Sequence, residues 1–282
     1  MPSAEEVLRH HPEWYHSIEL APGIVTPGRK PLSVWQDELR GLRLPDLAGK
    51  SVLDIGAFDG FFSFAAERLG AARVVALDHY AWSADMASYM RDWRSARKAG
   101  RSIPPPHLTE HWRPAELPGR APFDAAHGVL NSHVEAIVID FMADDSTLIG
   151  SFDIVLFLGV LYHLENPLAA LRRVFELTAP GGLCVIETEA MEIPGSGSRA
   201  LFEFFPGDEL HRDASNWWAP NGAAMAGLCR AAGFSQVEIL AQRPRVGLWR
   251  RMSAKVKRGL ARVPFSGVRR RYRLIAHATR AA

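Results

Sequence analysis

Five short apolar runs separated by helix-like segments constrain this chain more than any other feature. They are Lys50–Gly56 (KSVLDIG), Ala72–Asp78 (ARVVALD), Val134–Asp140 (VEAIVID), Phe152–Gly159 (FDIVLFLG) and Leu183–Thr188 (LCVIET). Each is apolar at successive positions, so each reads as a strand buried on both faces. Between them, Phe61–Gly70 reads as a helix stopped at Gly70, and Ser83–Lys98 and Phe123–Leu130 as helices. Pro167–Leu177 reads as a helix with proline in its first turn, and Pro180-Gly181-Gly182 as a turn. A helix over Gly222–Ala232 and strands over Val237–Leu240 and Arg273–Thr279 complete the pattern. Strand and helix alternate, which predicts an α/β fold with a doubly wound, mostly parallel sheet covered on both sides.

The 282 residues suit one domain with lids. Residues 1–49 read as an N-terminal cap with a short helix around Trp35–Arg43, and residues 50–282 as the main domain. Two segments interrupt that domain, a lid loop at 190–221 and a basic insertion at 241–271. A hydrophobic content of 48% excludes a wholly disordered chain. The longest nearly uncharged apolar run, Ile154–Leu164, is about half a bilayer span, so no integral membrane association is expected. The N-terminus lacks the basic start and apolar stretch of a signal peptide, and two cysteines make no disulfide framework. A cytoplasmic location is the resulting expectation.

The first strand ends in VLDIGAFDGFF, which places Asp54, Gly56 and Gly60 at a strand-to-helix turn. Glycines there let a ligand approach the backbone. Asp78 ends the second strand, where an acid accepts hydrogen bonds from ribose hydroxyls. The pattern lacks the second close glycine of a dinucleotide site. Asp54 adds a negative charge that suits a cationic ligand. A cofactor with a ribose, an adenine and a positively charged amino-acid end fits, namely S-adenosylmethionine; the other reading makes these only turn residues.

With Pro-Gly-Gly before the fifth strand, the chain resembles the class I S-adenosylmethionine-dependent methyltransferases over roughly 49–240. The resemblance implies a Rossmann-like sheet of seven strands with the last antiparallel. It implies that Asp78 binds the ribose, that Gly56 and Gly60 bound the amino-acid end, and that Asp140, Phe141 and Met142 lie near the adenine. Gly159 would border the same cofactor site. A narrower likeness rests on GVLYH (Gly159–His163), NWWAPN (Asn216–Asn221), WYHSIEL and VTPG. These are similar to the tRNA uridine-5-oxyacetic acid carboxymethyltransferases and their unassigned relatives. That family uses a carboxylated cofactor, whose extra carboxylate is held by a Tyr, a Lys and an Arg. Tyr162 matches the Tyr, no Lys before Lys50 matches convincingly, and Arg271 or Arg273 is the loose match for the Arg. Ordinary S-adenosylmethionine is therefore expected.

Methyl transfer needs an acceptor held in line and, for a poor nucleophile, a base. Tyr162, His163, Glu187 and Glu189 follow the fourth and fifth strands. His163 is the first choice of base because its pKa lies near neutrality, the other reading being a loop-capping hydrogen-bonder. Of Glu187 and Glu189, at most one is expected to face the site. His16, brought by the cap, is either a second catalytic candidate or a surface histidine. Trp217 and Trp218 form either a wall for a flat or saccharide substrate or a packing contact. The scattered histidines show no zinc spacing, so no metal is expected.

All 31 acids lie at or before Glu238, against 20 basic residues there, whereas residues 239–282 carry 13 Lys or Arg and no acid. Leu248, Trp249, Met252, Val256, Leu260 and Val263 recur at helical spacing among Arg250, Arg251, Lys255 and Arg258. Such a basic amphipathic helix binds an anionic substrate through residues such as Arg250, RNA phosphates or a membrane surface, or it packs on the core. The sequence thus predicts a methyltransferase acting on an oxygen or nitrogen of a biosynthetic small molecule. The alternatives are a tRNA wobble-uridine enzyme with tRNA as partner, and a non-catalytic cofactor-binding regulator.

Overall fold

The computed structural model describes residues 2–145, 149–192, 198–241 and 270–282. Arg250 and the amphipathic segment of the basic insertion lie outside the described residues.

The cap begins with α1 (Ala4–His10), closed by a capping box in which Glu6 N–H donates to Ser3 Oγ and Ser3 N–H to the Glu6 carboxylate. A small antiparallel pair, β1 (Glu19–Ala21) and β2 (Ile24–Val25), and α2 (Leu32–Gly41) follow. Trp14, Ile18, Leu20 and Trp35 are buried in one cluster with Val52, Phe61 and Phe64. Cap and main domain therefore share a core.

The main sheet consists of β3 (Ser51–Ile55), β4 (Arg73–Asp78), β5 (Glu135–Val138), β6 (Phe152–Leu158), β7 (Thr178–Glu192), β10 (Gln236–Ala241) and β11 (Arg270–Thr279). Its order is β10-β11-β7-β6-β3-β4-β5. The strands from β7 to β5 run parallel to their neighbours, and β11 is antiparallel to both β7 and β10. The seven-stranded sheet with an antiparallel last strand is as expected.

The two-sided burial of the apolar runs has a simple cause. Val52, Val74, Ala76, Leu156, Val185 and Ile275 enter the core on the cap side. Their neighbours Leu53, Val75, Leu77, Val155, Phe157 and Ile186 enter the opposite core. That second core is covered by α7 (Pro167–Leu177) and α8 (Gly222–Ala232), through Leu171, Val174, Met225 and Cys229. Truncating a fully buried aromatic such as Phe157 to Ala would cost about 3–5 kcal/mol.

Four local expectations are corrected. The helix read at Ser83–Lys98 is two, α4 (Tyr80–Ser83) and α5 (Met86–Lys98). Ala84 is extended, and Asp85 restarts the helix by accepting Ser88 N–H at 3.0 Å. Pro180-Gly181-Gly182 is a bulge inside β7 rather than a turn before it, since Phe152 pairs with Thr178 but Ile154 with Leu183. The lid read at 190–221 begins later, because β7 continues through Glu192, and it contains a hairpin of β8 (Phe202–Phe204) and β9 (Trp218–Pro220). Likewise β11 begins at Arg270, so the insertion is shorter than 241–271. No helix among the described residues is long and apolar enough to cross a membrane. Cys184 and Cys229 are both buried and free.

Candidate active site

From β3 the chain moves outward through β4 to β5, and then returns to place β6 on the other side of β3. The sheet reverses direction of growth between β3 and β6, and ligands of such sheets bind at the carboxyl ends flanking that point. Gly56 follows β3 with φ +80° and Gly159 follows β6 with φ +73°. A Cβ on Gly56 would lie 2.6 Å from Val160 Cγ2, so the backbone at this edge tolerates no side chain. Gly60, with φ +88°, opens α3 (Phe61–Arg68).

The loop between is rigidly held. Phe58 N–H donates to Asp78 Oδ2 at 3.0 Å, and Trp82 Nε1 donates to the Phe58 carbonyl at 2.6 Å. Asp78 Oδ1 accepts Ala81 N–H at 2.9 Å. With the Trp82 N–H as a third backbone donor, the carboxylate keeps about one lone pair for a further donor such as a ribose hydroxyl. Burial raises the Asp78 pKa, opposed by the backbone N–H groups of Phe58, Ala81 and Trp82. Asp54 is buried instead beneath the turn, where it accepts Ser63 Oγ–H at 2.6 Å and ties β3 to α3. Burial pushes its pKa up to about 6. Past β5, Met142 N–H donates to Asp140 Oδ1 at 2.9 Å, and Arg173 holds the Phe141 carbonyl at 2.9 Å.

At the β6 end, a Cβ on Gly159 would lie 3.6 Å from Tyr162 Oη and 3.7 Å from Arg273 Nη2. Arg273 reaches there from β11, with its guanidinium 5.0 Å from the Tyr162 ring centre. It bonds both oxygens of Glu187, and Glu189 Oε1 at 2.9 Å. Both glutamates face the site, contrary to expectation, because residues two apart on a strand share a face. Burial works against the Arg273 charge, but Tyr162, Glu187 and Glu189 hold its pKa well above the ordinary value. Burial raises the Tyr162 phenol, which therefore stays protonated. Arg271 lies elsewhere, over the Phe205 ring, which makes Arg273 the arginine beside Tyr162.

His163 is half-buried next to Tyr162, and burial lowers its pKa against the opposing effect of Asp213 and the Ser215 carbonyl. His16 lies within the contact between cap and domain, its ring stacked on Phe61 and Nδ1 bonded to Asp59. Trp217 stacks on Phe204, and Trp218 donates Nε1–H to the Leu164 carbonyl at 3.1 Å, so both tryptophans serve the lid hairpin. Sequence reasoning missed Asp59 and Ser215, whose partners His16 and His163 lie distant in the chain, and Asp213, which holds Ser215.

On the cap side of the Phe58 loop, a cleft is walled by Tyr15, Arg29, Phe58, Met86 and Met90. Arg29 lies over the Tyr15 ring and donates to Met90 Sδ at 2.8 Å, with no carboxylate in ion-pair range among the described residues. One group among the described residues has metal-ligand spacing, Asp92 of α5 with Glu110 and His111 of the long loop that follows it, away from the strand ends.

The profile of the methyltransferase domain family matches residues 29–239. This chain belongs to that family. Among curated relatives, the tRNA U34 carboxymethyltransferase of Desulfotalea psychrophila is 23% identical over 74% of this chain and 54% of its own length. That of Sulfurovum is 34% identical over 32% of this chain and 28% of its own. This methyltransferase-family chain spans about half the length of the first of these. Among solved structures, the N-terminal domain of EvdMO1, crystallised with S-adenosylhomocysteine (SAH) and D-fucose, superposes with a TM-score of 0.52. It is 17% identical and covers 99% of this chain and 95% of its own. An O-methyltransferase family protein from Burkholderia thailandensis gives 0.50 at 14% identity, over 89% of this chain and 57% of its own. The cofactor of the family is S-adenosylmethionine, and the bare glycine backbone with the buried Asp78 carboxylate at the end of β4 fits it.

Proposed function

We propose that this chain transfers a methyl group from S-adenosylmethionine to an oxygen or nitrogen of a small-molecule acceptor, in a biosynthetic role in the cytoplasm. The observation that carries the reading is the Glu187–Arg273–Glu189 group beside Tyr162 and Gly159. Two carboxylates face one guanidinium there, with His211 Nε2 2.8 Å from Glu189 Oε1, so the corner is net negative while His211 is neutral. A negative corner attracts a sulfonium and repels a cofactor bearing another carboxylate. Bound there, the cofactor supplies an electrophilic methyl group. Asp78 would hold its ribose, the backbone at Gly56, Gly60 and Gly159 its amino-acid end, and Asp140, Phe141 and Met142 its adenine edge.

His163 is the base in this reading. Its lowered pKa keeps it neutral at pH 7, the form that takes a proton from a hydroxyl. A sugar hydroxyl is a weak acid and needs such a base; that the EvdMO1 domain was crystallised in the presence of D-fucose is in keeping with that acceptor class. Arg29, which lies against the Tyr15 ring and Met90 Sδ, suits an anionic part of the acceptor in the cap-side cleft.

A second reading, a tRNA wobble-uridine (carboxy)methyltransferase, is favoured by Arg273 standing next to Tyr162, the pairing that the narrower resemblance calls for. Radiolabelled cofactor offered to a panel of hydroxylated sugars, nucleotide sugars and bulk tRNA separates the two. Label in a small molecule that His163→Gln abolishes supports the proposal. Label in tRNA, with binding that weakens steeply as salt rises, replaces it with the second. Binding of SAH with no turnover on any acceptor would leave a regulator.

A further inference from the structure

His163 has a second feature, which lies in the lid. Its Nδ1 is 3.0 Å from the Ser215 carbonyl oxygen and 3.0 Å from Ser215 Oγ. A carbonyl oxygen only accepts. The Ser215 hydroxyl proton is already given to Asp213 Oδ1 at 2.7 Å, so Ser215 Oγ accepts as well. Both contacts therefore require the proton on Nδ1. Nε2 is left with its lone pair and has no hydrogen-bond partner among the described residues. Asp213 Oδ1 also accepts Ser215 N–H at 2.9 Å, which fixes the turn that presents the carbonyl. Trp217 N–H donates to the Tyr162 carbonyl at 2.8 Å and docks the same segment on the residue before His163.

We propose that Asp213 and Ser215 are positioning residues: the lid they belong to fixes the tautomer of His163, leaving Nε2 as the basic nitrogen when the lid is docked. The proposal rests on the reading of His163 as the base. It deepens that reading by making base assembly depend on the lid, so a proton acceptor of defined orientation exists only when residues 213–217 are in place. The charged groups that act on His163 are Asp213, which favours its protonation, and Arg273, which opposes it.

The test is long-range proton–nitrogen correlation spectroscopy on the full chain with nitrogen-15 histidine, the His163 signals being assigned by their loss in His163→Gln. The wild type is expected to show His163 protonated on Nδ1. Asp213→Ala frees the turn, so both tautomers should appear. Asp213→Asn keeps an Oδ1 acceptor and should retain the Nδ1 tautomer, while the His163 titration moves to lower pH because the favourable charge is gone. Ser215→Ala retains the carbonyl contact and should give an intermediate spectrum. Where methyl transfer is measured, Asp213→Ala should lower kcat at least tenfold with KM little changed, and Asp213→Asn should recover most of it while shifting the pH profile the same way as the titration. A wild-type proton on Nε2, or an Asp213→Ala spectrum identical to wild type, overturns the proposal. If Asp213→Ala does not fold, Asp213→Asn and Ser215→Ala still decide it, since an unmoved titration in the first and an unmoved spectrum in the second also overturn it. Full activity in His163→Gln would instead remove the base reading while leaving the tautomer measurement intact.

Discussion

Asp59 grips His16 from both ends of the residue: its carboxylate bonds the ring Nδ1 and also accepts the His16 backbone N–H at 2.8 Å and that of Tyr15 at 2.9 Å. One side chain within the glycine loop thus satisfies three donors of the cap. Both partners are buried, Asp59 to 1% exposure. The cofactor loop and the cap are consequently one mechanical unit.

Removing Asp59 should therefore do more than remove a surface contact. Asp59→Ala strands two backbone N–H groups and a buried histidine, and is expected to cost about 3–5 kcal/mol, the range for breaking a buried pair. His16→Ala leaves Asp59 its two backbone donors, and should cost less despite losing the stack on Phe61. Urea titrations of the two variants give the order. Equal losses would mean that the backbone bonds add nothing.

A second expectation concerns the ribose acid. Asp78→Ala should weaken SAH by about 1–3 kcal/mol through lost charge-assisted hydrogen bonds. Because Asp78 also holds Phe58 and Ala81, Asp78→Asn, which keeps one acceptor, is the cleaner probe of the loop. Calorimetry on folded variants decides it, and unchanged SAH affinity in both would remove Asp78 from the site.

The strands were legible because burial on both faces writes an unbroken apolar run, as in Val52–Leu53 and Val155–Leu156, which no loop imitates. The break between α4 and α5 was not. Asp85 is one capping residue within an otherwise helical stretch, and the energy of a cap, about 1 kcal/mol, leaves little trace in periodicity. In the site, the glycines and Asp78 announced themselves by spacing along one turn. The Arg273 bonds to Glu187 and Glu189 and the His163–Ser215 contact join segments far apart in sequence. Spacing along the chain carries no information on which of several acids and bases meet.

Asp54 offers a pH test with a defined sign. Its folded pKa is about 6, raised by burial from 3.8. A raised carboxyl contributes stability that is full below pH 3.8 and is lost as pH rises through 6. Between pH 5 and 7.5 this group alone should remove about 1–2 kcal/mol. Asp54→Asn accepts the same Ser63 hydroxyl and carries no charge, so its stability should fall less than that of the wild type across this window. Denaturant unfolding at both pH values measures the difference, and parallel pH dependences would mean that Asp54 does not titrate there.

The last prediction concerns the charge at the methyl end. Glu187, Arg273 and Glu189 together carry one net negative charge, next to Tyr162 and Gly159. A cofactor with a sulfonium gains from that charge, SAH, with a neutral sulfur, does not, and a carboxylated cofactor is penalised. Wild type should therefore bind S-adenosylmethionine at least as tightly as the carboxylated form. Glu187→Gln removes one carboxylate and releases part of the Arg273 fork, so the corner becomes neutral with a guanidinium able to accept a new anion. The preference should then shift toward the carboxylated cofactor by about 1.5–3 kcal/mol, roughly tenfold or more, the usual worth of a hydrogen bond to a charged group. SAH affinity should barely move, which separates a charge effect from a damaged site. Competition calorimetry with the three ligands on both proteins provides the comparison. A wild type that already prefers the carboxylated cofactor would show that Arg273 serves the ligand despite its two glutamates, and would favour the tRNA reading over the small-molecule one.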